Sequence, residues 1–254
     1  MILAIDVGNT NIVIGCFKDT EICFVERLST NPQTTVLEYA VSFKNVLELY
    51  DIKPEQIEGG IISSVVPSVT QPIRQAVKKL THRDIMTVGP GVKTGLSIII
   101  DNPAQLGSDL VVDAVAGINE YSLPLIIFDM GTATTVSVID ENKNYLGGMI
   151  LPGTVVSLNS LISRTSQLPK IGLEPPKKII GANTIECMKS GIIYGTAASI
   201  DGVIDRIEES LGKKACVVAT GGLAGVIVPF CKREVVVDDE LLLKGLMIIY
   251  NKNK

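Results

Sequence analysis

The apolar positions of the chain fall into short unbroken runs that alternate with stretches of helical spacing. Ile2, Leu3, Ala4 and Ile5 form a run that ends at Asp6; polar residues 8–11 follow, then the β-branched run Ile12, Val13, Ile14. This order predicts two buried strands joined by a tight turn. Residues 21–28, after the turn Lys18-Asp19-Thr20, read as a third strand. Val36, Tyr39, Ala40, Phe43, Val46 and Leu47 recur at three- and four-residue spacing and predict a helix over 35–50. A short buried strand over 60–66, a helix over 69–80, a strand over 85–88 and a helical run over 111–116 complete the first half. In the second half, 125–130 and 133–138 read as another hairpin, 140–143 as a turn and 145–150 as a third strand. A long helical stretch covers 183–209, with a break expected near the glycines at 191–195; a buried strand over 215–220 and a closing helix over 240–250 follow.

The two halves repeat each other. Leu125-Ile126-Ile127-Phe128-Asp129-Met130-Gly131-Thr132 has the same order of residue types as the opening segment, with Asp129 matching Asp6 and Gly131 matching Gly8. A repeat at half the chain length implies two similarly built domains facing each other, 1–117 and 118–254, rather than a solenoid of short units. The last helix is free to pack back on the first domain. Strands linked by helices, twice over, place the chain in the α/β class.

Composition narrows the function classes. Hydrophobic residues make up 46% of the 254 residues and charged residues 20%, enough apolar material for two cores. With 23 basic against 27 acidic residues and no basic stripe interleaved with aromatics, nucleic acid is not an expected partner. His82 is the one histidine, so a histidine-based triad or zinc site would rest on it alone; beside Arg83 it reads as part of a solvated loop. The five cysteines (16, 23, 187, 216, 231) form no CxxC pair and read as reduced, buried thiols of a cytoplasmic chain. No basic leader precedes the first apolar run, and apolar runs such as 241–250 fall short of the roughly 20 residues that a membrane span needs, so no membrane association is expected.

Two hairpin turns carry the sharpest chemistry. Asp6-Val7-Gly8-Asn9-Thr10-Asn11 offers backbone N–H groups and short side-chain donors of the kind that hold phosphate oxygens, and Asp6 at the strand end can hold a hydrated divalent cation such as magnesium. A second copy at Asp129-Met130-Gly131-Thr132 lets the two turns clamp the phosphates of one nucleotide. Thr220-Gly221-Gly222 follows a buried strand, and its glycines let a flat ligand approach the backbone. Residues 89–95 match neither a dinucleotide fingerprint nor a P-loop. Gly107-Ser108-Asp109-Leu110 precedes a helical run, so Asp109 reads either as a helix cap or as a general base taking a proton from a substrate hydroxyl. Asp113, about one helical turn further on, reads as surface-facing.

With these motifs placed, the chain resembles the type III pantothenate kinases over nearly its whole length. The resemblance rests on residues 6–11, on Asp101-Asn102-Pro103 with Leu106-Gly107-Ser108-Asp109, on residues 129–134, on the run 147–153, on 164–169, on 180–184, on 188–191 and on 220–224. It implies the duplicated ribonuclease-H-like fold of the actin and sugar kinase superfamily, and ATP-dependent phosphorylation of pantothenate to 4'-phosphopantothenate at the start of coenzyme A synthesis. It implies that residues 6–13, including Ile12 and Val13, hold ATP with Mg2+, that Thr132 contacts the phosphates, and that Asp109 is the base. It further implies that Asp129 binds a monovalent cation, potassium or ammonium, and that Thr184 touches pantothenate across a homodimer interface formed by the 183–209 region. Ile100, Gly107, Ser108 and Leu110 would line the acceptor pocket with Asp109.

Departures from the family pattern gather at that pocket. Leu110 stands where the family has Arg, Ile100 where it has an aromatic residue, and Asp113 where it has Asn; Arg164 and Lys170 are candidates for a replacement cation. The alternatives to pantothenate phosphorylation are a kinase of the same architecture acting on another small alcohol, and a nucleotide-binding regulatory protein without catalysis.

Overall fold

A computed structural model describes residues 1–254. In chain order the elements are β1 (Ile2–Val7), β2 (Asn11–Lys18), β3 (Glu21–Ser29), α1 (Val36–Leu49), β4 (Gly59–Ser64), α2 (Pro67–Thr81), β5 (Met86–Thr87), β6 (Ser97–Ile98), α3 (Ser108–Glu120), β7 (Leu125–Met130), β8 (Ala133–Ile139), β9 (Asn144–Pro152), α4 (Thr154–Ser163), α5 (Thr184–Leu211), β10 (Cys216–Thr220), α6 (Ala224–Ile227), β11 (Val236–Val237) and α7 (Leu241–Asn253). Two compact units form. One comprises Met1–Gly95, Asn102–Ala116 and Leu242–Lys254; the other Leu96–Asp101 and Gly117–Leu241.

The sheets of the two units share one topology. The first has the order β3-β2-β1-β4-β5; the second runs β9-β8-β7-β10-β11 in the same sense, with β6 added beside β9. In each, the opening hairpin is antiparallel (β1 with β2, β7 with β8) and the strand on the other flank is parallel (β4 beside β1, β10 beside β7). Parallel neighbours require a crossover, and α1 and α5 supply it in the two units. This duplicated α/β pattern is a ribonuclease-H-like fold.

The first unit buries one face of its sheet under α1 and α2, with Phe43, Leu47, Ile73 and Val77 against Ile5, Ile12, Ile14 and Ile62. Each such side chain contributes roughly 1.5–3 kcal/mol by leaving water. Helix α1 starts with a capping box in which Thr35 accepts from the Glu38 N–H and Glu38 accepts from the Thr35 N–H. The opposite face receives α7, whose Leu243 lies against Gly15 and Tyr250 against Gly59, and Gly245 of α7 lets the backbone of Val112 in α3 approach. In the second unit α5 covers the sheet with Ile193, Ala197, Ile200, Ile204 and Ile207.

Local reading and structure differ in four places. Helix α5 runs unbroken through Gly191 and Gly195, because its buried face is anchored on the sheet on both sides of them; that packing outweighs the cost of about 1 kcal/mol per helical glycine. Helix α4 was not expected from the pattern. Asp113 is buried, since its neighbours Val112, Ala114, Val115 and Ala116 are buried as well and α3 has no solvent face there. Among the free cysteines only Cys16 is fully buried, while Cys23 and Cys187 are exposed.

Candidate active site

The site residues named from sequence divide between the two units. In the first, Asp6 is the penultimate residue of β1, buried, with Val13 opposite it on β2 and Ser63 opposite it on β4. Val7 and Ile12 form the last hairpin pair and are buried; Gly8 donates its N–H to the Asn11 carbonyl at 3.0 Å, which leaves Asn9 and Thr10 as a two-residue loop. Asn9, Thr10 and Asn11 are exposed. Two bonds from Thr30, its hydroxyl to the Gly8 carbonyl at 2.7 Å and its N–H to the Thr10 carbonyl at 2.9 Å, brace this loop from the neighbouring strand.

The start of α3 lies at the end of β4 in the same unit. Ser108 Oγ stands 3.0 Å from Ser63 Oγ, accepts from the Ser64 N–H at 3.2 Å and donates to the Ser64 carbonyl at 3.2 Å. Asp109 follows, half-buried in the first helical turn, with Oδ1 accepting from the Leu110 N–H at 2.9 Å. Burial pushes the Asp109 carboxyl above its ordinary value of 3.8, against the opposing pull of the backbone N–H groups of Leu110 and Asp109. Gly107 is glycine for a reason: a side chain there would collide with the Asp109 carboxylate.

The second unit builds a matching strand end. Asp129 is the penultimate residue of β7, paired with Thr135 on β8 and Thr220 on β10. Gly131 donates to the Ala133 carbonyl at 3.0 Å, so Thr132 tips an exposed turn. Gly221 has a left-handed backbone (φ 88°), and a Cβ on it would lie 2.6 Å from Asp129 Oδ1 and 2.8 Å from the Met130 backbone. Gly153, the residue before α4, packs against the carbonyls of Gly131 and Thr132 with no room for a Cβ. The Asp129 carboxylate therefore lies beside the Gly221 backbone, and the carbonyls of Gly131 and Thr132 lie beside Gly153.

The remaining acceptor residues also belong to the second unit. Ile100 lies 3.8 Å from the Cβ position of Gly147 on β9. Thr184 opens α5, exposed, after Asn183, whose side chain caps the helix by accepting from the Glu186 N–H at 3.0 Å. Arg164 and Lys170 are exposed. Sequence reasoning did not single out Ser63, Ser64 or Thr154. Two hydroxyls closing an otherwise apolar strand were the available signal for the serines, but their partner lies 44 and 45 residues away and only the fold supplies it.

Comparison with known proteins follows from this geometry. The type III pantothenate kinase family description matches residues 2–206. A type III pantothenate kinase of Halalkalibacterium halodurans is 44% identical over 253 residues, covering 100% of both chains, and one from Exiguobacterium is 45% identical over 254 residues, again covering 100% of both. Among solved structures, a Sinorhizobium meliloti protein described as a 2-dehydro-3-deoxygalactonokinase superposes with a TM-score of 0.58 at 12% identity, covering 99% of this chain and 96% of its own. At that identity the last likeness concerns the fold.

Proposed function

The chain belongs to the type III pantothenate kinase family, and from that premise we propose which of its residues carry the reaction. Its activity is ATP-dependent phosphorylation of pantothenate in coenzyme A biosynthesis. Asp109 is the general base: it takes the proton from the terminal hydroxyl of pantothenate as that oxygen bonds to the γ-phosphorus of ATP and the bond to ADP breaks. The observation that carries this role is the Asp109 carboxylate itself, half-buried in the first turn of α3, where burial raises its affinity for a proton. Phosphoryl transfer asks for positioning and charge neutralisation more than covalent chemistry, and the rest of the assignment follows that need.

Residues 6–13 hold ATP, and Asp6 orients the accompanying Mg2+; Thr132 and Gly221 are assigned as ATP contacts in their own unit. Asp129 holds a monovalent cation, potassium or ammonium, whose charge offsets that of the phosphates. The Asp129 carboxylate at the end of β7, a hard oxygen ligand, supports this reading. Gly107, Ser108 and Leu110, beside Asp109, border the acceptor, and Ile100 is assigned as an acceptor contact in its own unit. Thr184 contacts pantothenate across a homodimer interface. No helix is long and apolar enough to cross a membrane.

A coupled ADP-release assay with pantothenate, Mg-ATP and potassium tests this function. Turnover that depends on pantothenate and falls when sodium replaces potassium is the expected result. ATP binding without pantothenate-dependent turnover would overturn the acceptor and point to Ile100 and Leu110.

A further inference from the structure

Ser63 is fully buried, and its register partner on the adjacent strand is Asp6. A buried hydroxyl needs a hydrogen-bond partner, and here that partner lies on a different element. A serine hydroxyl has one proton and two lone pairs. Ser108 Oγ accepts from the Ser64 N–H at 3.2 Å, lies 3.2 Å from the Ser64 carbonyl and 3.0 Å from Ser63 Oγ, and in that last pair either hydroxyl can serve as the donor.

Ser108 is the first residue of α3, after Gly107 whose carbonyl accepts the first helical bond from Val111; its hydroxyl turns to β4, and the carboxylate of the next residue takes the Leu110 N–H. The hydroxyl therefore ties the helix to the strand rather than capping it. We propose that Ser63 is a positioning residue for phosphoryl transfer: through Ser108 it fixes the first turn of α3, and with it the carboxylate of Asp109. The proposal rests on the reading of Asp109 as the base.

The tie acts on orientation because of where it attaches. Asp109 is covalently next to the tethered residue, so a small rotation of Ser108 swings the carboxylate directly. Displacements of about 1 Å at a reacting group cost up to roughly a hundredfold in rate. Removing the Ser63 hydroxyl leaves Ser108 both of its bonds to Ser64, so the strand and helix stay joined while one constraint on direction is lost.

The test is steady-state kinetics of full-length Ser63→Ala with pantothenate and Mg-ATP, beside its thermal unfolding. A fall in kcat of about tenfold, with KM for ATP within about twofold of the parent, is expected. Ser63→Ala/Ser108→Ala should lose no more kcat than Ser108→Ala alone, because both changes cut the same tie. An unchanged kcat with a lowered Tm would make the tie purely structural and overturn the proposal; a raised KM with unchanged kcat would move Ser63 into substrate binding and overturn it as well. Should Ser63→Ala not fold, Ser63→Cys preserves the volume while weakening the hydrogen bond, and the same split decides. Asp109→Asn is run alongside. If it keeps full turnover, the reading of the base has failed, a result separate from the behaviour of Ser63.

Discussion

Gly107 stands so close to the carboxylate of Asp109 that a methyl group on its Cα would run into Oδ1 and come within 3.5 Å of Cγ. The obstacle is the end of a side chain, not backbone, so the carboxylate would yield by turning about its χ angles.

Gly107→Ala should therefore cost activity and little stability. Turnover is expected to fall about ten- to a hundredfold, with a thermal midpoint within about 4 °C of the parent. Kinetics and calorimetry on the same preparation check the pair; a large drop in Tm with unchanged kcat would show that the backbone moves instead.

Asp109→Asn removes the base and keeps the shape. Loss of general-base catalysis is expected to cost about a hundredfold or more in turnover, while calorimetric titration still detects ATP. Burial raises the Asp109 carboxyl above 3.8 in the folded state, so its ionised form opposes folding at every pH above that value. The variant should consequently unfold at an equal or higher temperature at neutral pH. A lowered Tm would contradict this account.

Glu208 gives the second unit a defined acid sensitivity. Burial alone would push its carboxyl up, but hydrogen bonds from Lys214, the Ala215 N–H and Arg233 win and hold it at about 2, below the ordinary 4.5. A depressed carboxylate stabilises the fold above 4.5 and loses that contribution as pH falls toward 2. Thermal midpoints measured from about pH 6 down to about pH 3 should drop in the parent; Glu208→Gln should start lower and show a shallower slope. Parallel slopes for the two proteins would sink the assignment.

Gly221→Ala meets two obstacles together. The left-handed backbone strains any side chain there, and the new methyl would press on the Met130 backbone and Asp129 Oδ1. Neither the β7 backbone nor the turn can move freely, so a loss of about 1–3 kcal/mol in chemical denaturation is expected, together with weaker ATP binding by titration. Unchanged values for both would show that the turn relaxes.

Much of this molecule was legible before its fold was known. The matched Asp6 and Asp129, each one residue from the end of a buried strand, follow from apolar runs and turn residues that lie within a dozen positions of each other. Strand periodicity and hairpin turns are local properties, and local properties are written in adjacent residues. The same holds for the helix over Val36–Leu49, announced by its spacing.

Other features depended on residues far apart in the chain. Gly191 and Gly195 mark a break by local propensity, yet α5 passes through them because the sheet holds its other face. Asp113 looked solvent-facing by its charge, and is buried because α3 is enclosed on every side there. Leu96–Asp101 joins the second unit, a sorting that no local pattern expresses. The bond between Ser63 and Ser108 spans 45 residues. The sequence by itself determined the repeat, the hairpins and the placement of their acids, because turn chemistry and periodicity act over a few residues. Tertiary structure alone decided which hydroxyl holds which helix and which carboxylate loses its water, because burial is set by whatever segment packs alongside.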